Sequence, residues 1–142
     1  MVATPAQRRS RKQEADGARK TGGSVQPASG SLATRKNDVR TSRNSPGVPL
    51  SIEYKTTGSA QYRLHLRDLR AAEKHAVIDS ATMLFGVQFT GGPGVQFNYV
   101  VLAESDFLEM QQRVIELEKE IASYHRMGGF TEDNVKPPSF SD

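Results

Sequence analysis

The sequence has 142 residues, with 19 Lys and Arg against 16 Asp and Glu, a formal net charge of only +3. That total hides a split: residues 1–48 hold ten basic and three acidic side chains, net +7, and residues 49–142 hold nine and thirteen, net −4, so a basic segment joins a mildly acidic body. With no cysteine there is no disulfide framework, thiolate metal site or cysteine nucleophile, and no apolar run approaches the roughly 18 residues of a membrane span.

Residues 1–48 read as a disordered basic arm. Their only aliphatic residues larger than alanine are Met1, Val2, Val25, Leu32, Val39 and Val48, and they contain no aromatic. Such a segment buries too little apolar surface to offset about 1–2 kcal/mol of backbone entropy per ordered residue. Its cations cluster as Arg8, Arg9, Arg11 and Lys12, then Arg19 and Lys20, then Arg35, Lys36, Arg40 and Arg43. Spaced cations on a flexible chain suit nucleic-acid phosphates; a solubilising tail or a targeting address has the same composition. The N-terminus lacks the apolar stretch of a secretory signal, and the expectation is an intracellular protein, with an organelle transit peptide left open.

The body, residues 49–127, reads as a small α+β domain. Leu50, Ile52, Tyr54 and Thr56 alternate with polar residues, the period of a half-buried strand. A turn at Thr57–Ala60 and the alternation of Tyr62, Leu64 and Leu66 predict a hairpin whose polar face carries Lys55, Arg63, His65 and Arg67. Residues 68–81 predict a short helix with Leu69, Ala72, Ala76 and Val77 on one side, or a strand over His75–Ile78. Met83, Phe85, Val87 and Phe89 form a further strand, and Val95, Phe97, Tyr99 and Val101 another, joined by the breaker cluster Thr90–Gly94 into a second hairpin.

The long helix after Ser105 carries Phe107, Met110, Val114, Leu117, Ile121 and Tyr124 at alternating spacings of three and four, a heptad seam. Leu108, Ile115 and Ala122 widen the stripe, and Gly128-Gly129 end it. Residues 128–142 read as a flexible acidic tail. The expected fold is therefore α+β: an antiparallel sheet of about four strands in two hairpins, then one C-terminal helix. So small a domain is marginal as a monomer, and the seam predicts a homodimer or a protein partner at the helix.

Motifs for chemistry are absent. His65, His75 and His125 fit no zinc pattern, no serine sits in a nucleophile elbow, and the Gly91–Gly94 cluster lacks the Lys-Ser/Thr of a phosphate loop. The expectation is a non-enzyme with no cofactor and no metal.

The step Tyr99–Met110, with Leu102 ending a strand and Phe107 and Met110 opening a helix, resembles the positive-cofactor family of single-stranded-DNA-binding transcriptional coactivators. That resemblance implies four antiparallel strands, a dimerising C-terminal helix and a basic disordered arm. The same segment, through Asp106-Phe107 and Met110, resembles prevent-host-death type antitoxins, which implies a partner docked on the C-terminal part. The functional expectation is a dimeric nucleic-acid-binding regulator that contacts no membrane. Its arm cations, with Lys55, Arg63 and Arg67, would supply affinity, and its sheet face selectivity. At least four of the six aromatics Tyr54, Tyr62, Phe85, Phe89, Phe97 and Tyr99 would be core residues rather than stacking platforms. A protein adaptor, assembly subunit or antitoxin-like protein is the competing reading.

Overall fold

The structure, a computed structural model, describes residues 2–26, 37–92 and 94–128. The element order is α1 (Pro5–Thr21), β1 (Ser24–Val25), β2 (Val39–Arg40), β3 (Leu50–Thr57), α2 (Leu66–Ile78), β4 (Thr82–Thr90), β5 (Gln96–Val101) and α3 (Glu104–Arg126). The chain divides into two units, one ending at Ala103 and the other beginning at Glu104.

The first correction concerns the N-terminal segment, which is not a disordered arm where it is described. Thr4 accepts from the Gln7 N–H while Gln7 caps the Thr4 N–H, Pro5 enters the first turn, and Gly22, at φ 68°, ends the helix. These are standard start and stop devices. The buried face of α1 is small and polar, formed by Gln13, Gly17 and Ala18. Only glycine fits at position 17, because a Cβ there would overlap the Tyr54 ring. The same ring lies over Gly86, where a Cβ would come within 2.6 Å of Tyr54 Cδ1.

The second correction concerns the sheet. It has five strands in the order β1-β2-β3-β4-β5 and is mixed, since β3 and β4 run parallel while the other pairs are antiparallel. The hairpin expected between Leu50–Thr57 and Tyr62–Leu66 is absent: residues 61–65 are irregular and α2 starts at Leu66. Parallel neighbours need a crossover of a dozen or more residues, and α2 provides it. The helix reading of the 68–81 segment holds, as does the β4–β5 hairpin. The parallel pair also departs from the four antiparallel strands that the coactivator resemblance implies.

Register assigns the two faces of the sheet. Ser51, Glu53 and Lys55 stand opposite Met83, Phe85 and Val87, and Leu50, Ile52 and Tyr54 opposite Thr82, Leu84 and Gly86. Met83, Phe85 and Val87 pack with Ala72 and Ala76 of α2, while Ile52 and Val39 pack with Ala18 of α1. The first unit is thus a three-layer α/β/α arrangement with β3 and β4 at its centre. Asn37 ties the layers together, its buried amide donating to Ser51 Oγ at 2.8 Å and to the Ala72 carbonyl at 3.0 Å. Tyr54, Tyr62, Phe85 and Phe89 are buried or half-buried, and Phe97 and Tyr99 on the edge strand are exposed.

The second unit is α3, a 23-residue helix that buries none of its residues. It starts at Glu104, one residue before the expected cap.

Candidate functional site

Strand β2 is two residues long, and its pairing with β3 runs only through Arg40↔Ser51 and Val39↔Ile52. Beyond that point no strand pairs with this edge of β3 among the described residues, and Asp38 bonds to it instead: its Oδ2 accepts the Tyr54 N–H at 2.7 Å. Alternation along β3 puts Glu53 and Lys55 on one face, where Lys55 Nζ donates to Glu53 Oε1 at 2.8 Å. From the other side α1 reaches the same stretch, with Gln13 Nε2 donating to the Lys55 carbonyl at 2.9 Å. Glu14 is the next residue of that helix. Three elements thereby bring Glu14, Asp38, Glu53 and Lys55 to one place.

Their electrostatics record the proximity. Burial first, and then the Glu53 carboxylate, push Asp38 from the usual 3.8 up to about 7; Glu14 adds to the rise, while the Tyr54 N–H and Lys55 oppose it. Burial and then Glu53 raise Glu14, against Arg11 and Lys55. For Lys55, burial works against the charge, but the hydrogen bond and charge of Glu53, followed by Asp38, prevail and raise it. Lys55 is therefore held as an ammonium and is a charge donor, not a base. Burial and Asp38 also raise Tyr54. Three carboxylates facing one lysine leave an excess of negative charge that a cation would neutralise.

Two polar atoms beside this cluster lack partners. Gln13 Oε1, on the amide that bonds the Lys55 carbonyl, and Thr56 Oγ1, on the opposite face of β3 from Lys55, are buried with no hydrogen bond among the described residues. Buried polar atoms are usually hydrogen-bonded to protein or to ordered water. Among the described residues no group of three or more His, Cys, Asp and Glu side chains is placed to hold a metal ion by itself. A magnesium-type ion does not require one, since it is typically held by one or two carboxylates, with water and substrate phosphate completing its shell.

The residues expected to bind nucleic acid are divided by the fold. Arg8, Arg9, Arg11 and Lys12 lie exposed on α1, the helix that carries Gln13 and Glu14. Arg19 and Lys20 are in its last turn, with Arg19 paired to Asp16 at 2.9 Å. Arg40 pairs with Asp79 at 3.1 Å and, with Arg43, Ser24, Thr41, Ser42 and Ile78, lines an open groove of about 590 Å³. Arg35 and Lys36 lie outside the described residues. Lys55 belongs to the carboxylate cluster. Arg63 and Arg67 are exposed, but the hairpin face meant to align them with Lys55 does not exist. The seam residues Phe107, Met110, Val114, Leu117, Ile121 and Tyr124 all lie on α3.

Sequence reasoning missed Glu14, Asp38 and Glu53. One signal was present: Asp38 is the single acid between Asp16 and Glu53, set immediately before Val39, a fully buried residue. No protein-family model and no curated protein matches the sequence.

Proposed function

We propose that this protein is a divalent-cation-dependent nuclease, in which Asp38 and Glu53 hold the cation, Lys55 contacts the scissile phosphate, and the basic face of α1 holds the nucleic-acid backbone. This reading keeps the nucleic-acid partner expected from the charge distribution and replaces the non-enzymatic role. The observation that carries it is the convergence of Asp38, Glu53 and Lys55, with Glu14 and Gln13 from α1, along the Tyr54–Lys55 stretch of β3.

The chemistry follows from the charges. A phosphodiester carries negative charge that grows during attack by water, so a cation and an ammonium at the phosphate lower the barrier. A cation held by Asp38 and Glu53 would also lower the pKa of a water bound to it, easing that water's deprotonation. In that hydrolysis the water oxygen would bond to phosphorus, one ester P–O bond would break, and the departing oxygen would take a proton from solvent. Glu14, its carboxyl raised by burial and by Glu53, would receive the proton the water gives up. Exposed Phe97 and Tyr99 on β5 offer base-stacking surface. Cations at positions 8–12 would give affinity that falls steeply with salt.

The test is cleavage of labelled single-stranded, duplex and branched DNA and of RNA, with Mg²⁺ or Mn²⁺ and with EDTA, by the full chain and by Glu53→Gln. Cation-dependent cleavage lost in EDTA, and reduced by about 100-fold or more in the variant, is the expected result. No cleavage of any substrate, together with no calorimetric binding of Mn²⁺, would overturn the proposal. Salt-sensitive binding that survived such a result would return the protein to the class of non-enzymatic nucleic-acid binders.

A further inference from the structure

Helix α3 is 23 residues long and buries none of them. Along its seam Phe107 is 51 % exposed, Val114 48 %, Leu117 40 %, Ile121 57 % and Tyr124 54 %. An isolated helix of this length is marginal in water, so a periodic apolar line over its whole length calls for a covering partner.

The identity of the seam residues selects that partner. Assigning Phe107, Val114 and Ile121 to the a positions of a heptad, and Met110, Leu117 and Tyr124 to the d positions, puts β-branched residues at two of three a sites and Leu at the central d site. That combination favours two parallel strands. Flanking charge agrees. Arg113 falls at g and Glu118 at the following e, the positions that meet across a parallel dimer in register. Two such pairs form, one on each side of the dyad. Among the described residues Arg113 pairs with Glu116 at 3.5 Å and Glu120 at 3.9 Å, all of them well exposed. Exposed pairs of that kind are weak, so Arg113 is readily re-paired.

We infer that α3 is a dimerisation helix that binds a second copy of this chain as a parallel, in-register, two-stranded coiled coil, with Arg113 of each chain paired to Glu118 of the other. The inference is independent of the nuclease reading. If both hold, the assembly carries two cleavage sites related by a two-fold axis, which suits a substrate with two equivalent strands.

The absence of native cysteine makes orientation directly testable in the full chain. In a parallel dimer two copies of residue 110 face each other. In an antiparallel one residue 110 lies opposite residue 121, and the two copies of residue 110 are about 16 Å apart along the axis. Met110→Cys should therefore oxidise to a disulfide-linked dimer at twice the 15.6 kDa chain mass. A mixture of Met110→Cys and Ile121→Cys chains should give little mixed disulfide. Sedimentation of the unmodified chain should show reversible dimerisation. Arg113→Glu should weaken it by about tenfold or more, and Arg113→Glu with Glu118→Arg in the same chain should restore it. A chain that stays monomeric at about 1 mM, where even a weak association of about −4 kcal/mol would be half-populated, or preferential 110–121 cross-linking, would overturn the inference. So would a double variant no tighter than the single one. Arg113 is exposed, so its replacement leaves folding intact, and unchanged helicity by circular dichroism verifies this.

Discussion

Replacing Asp38 by Asn removes the charge whose burial raises the pKa and keeps an oxygen that can accept the Tyr54 N–H. Asp38 titrates at about 7 in the folded protein against an ordinary 3.8. Between those values the folded chain holds a proton that the unfolded chain has lost. Folding stability therefore falls as pH rises through that window, and the loss is complete above about pH 7. A difference of about 3 units at 1.36 kcal/mol each sets a ceiling of about 4 kcal/mol. Residual solvent access discounts this, leaving about 2–4 kcal/mol. Urea unfolding of the full chain in EDTA at pH 5 and pH 8 measures it. The unmodified protein should lose stability between the two, Asp38→Asn should lose much less, and at pH 8 the variant should be the more stable. Adding Mg²⁺ at pH 8 should stabilise the unmodified chain and leave the variant unchanged, because a cation that binds only the folded state adds to its stability. A variant less stable at pH 8 would refute the reasoning: the bond from the Tyr54 N–H to a charged carboxylate would then outweigh the cost of burying it.

Gly17→Ala should destabilise by about 2–3 kcal/mol in thermal or urea melts, against the usual gain from alanine in a helix, since its Cβ overlaps the Tyr54 ring; an unchanged or raised midpoint would mean that the α1–β3 contact is loose. Asn37→Ala should cost about 2–3 kcal/mol by leaving Ser51 Oγ and the Ala72 carbonyl without their buried donor, with a near-neutral effect counting against the tie between layers. Replacing Arg9 and Lys12 together by Ala should lower nucleic-acid affinity and reduce the log–log salt slope by about 2, measured by fluorescence anisotropy between 50 and 200 mM salt; an unchanged slope would take α1 out of the interface.

Helix α1 shows why part of the fold was hidden. Its start and stop were written in Thr4, Pro5, Gln7 and Gly22, but the face it buries is made of Gln13, Gly17 and Ala18. Hydrophobic periodicity has nothing to register in such a face, since small and amide side chains pack by close approach rather than by apolar bulk. The reading of 61–66 as a strand went wrong for another reason. Alternation of Tyr62, Leu64 and Leu66 describes an extended chain, and residues 61–65 are extended enough to set Tyr62 against Phe85, with ring centroids 6.3 Å apart, without pairing to any strand.

What the sequence determined by itself was local: the strand periods of β3, β4 and β5, the glycine-rich turn between the last two, the continuous apolar seam of α3, and the concentration of cations in the first 48 residues. These depend on neighbours within a few positions, where backbone period and side-chain polarity are coupled directly. What only the tertiary structure decided was pairing. A strand's alternation is the same whether its neighbour is parallel or antiparallel, so the β3–β4 pairing and the crossover of α2 depend on burying both faces of the central strands. The carboxylate cluster has the same origin. Glu14, Asp38 and Glu53 are 24 and 15 residues apart in sequence, and they meet because Asp38 bonds to the Tyr54 N–H and α1 packs back on β3, leaving their charges to be settled at one stretch of strand.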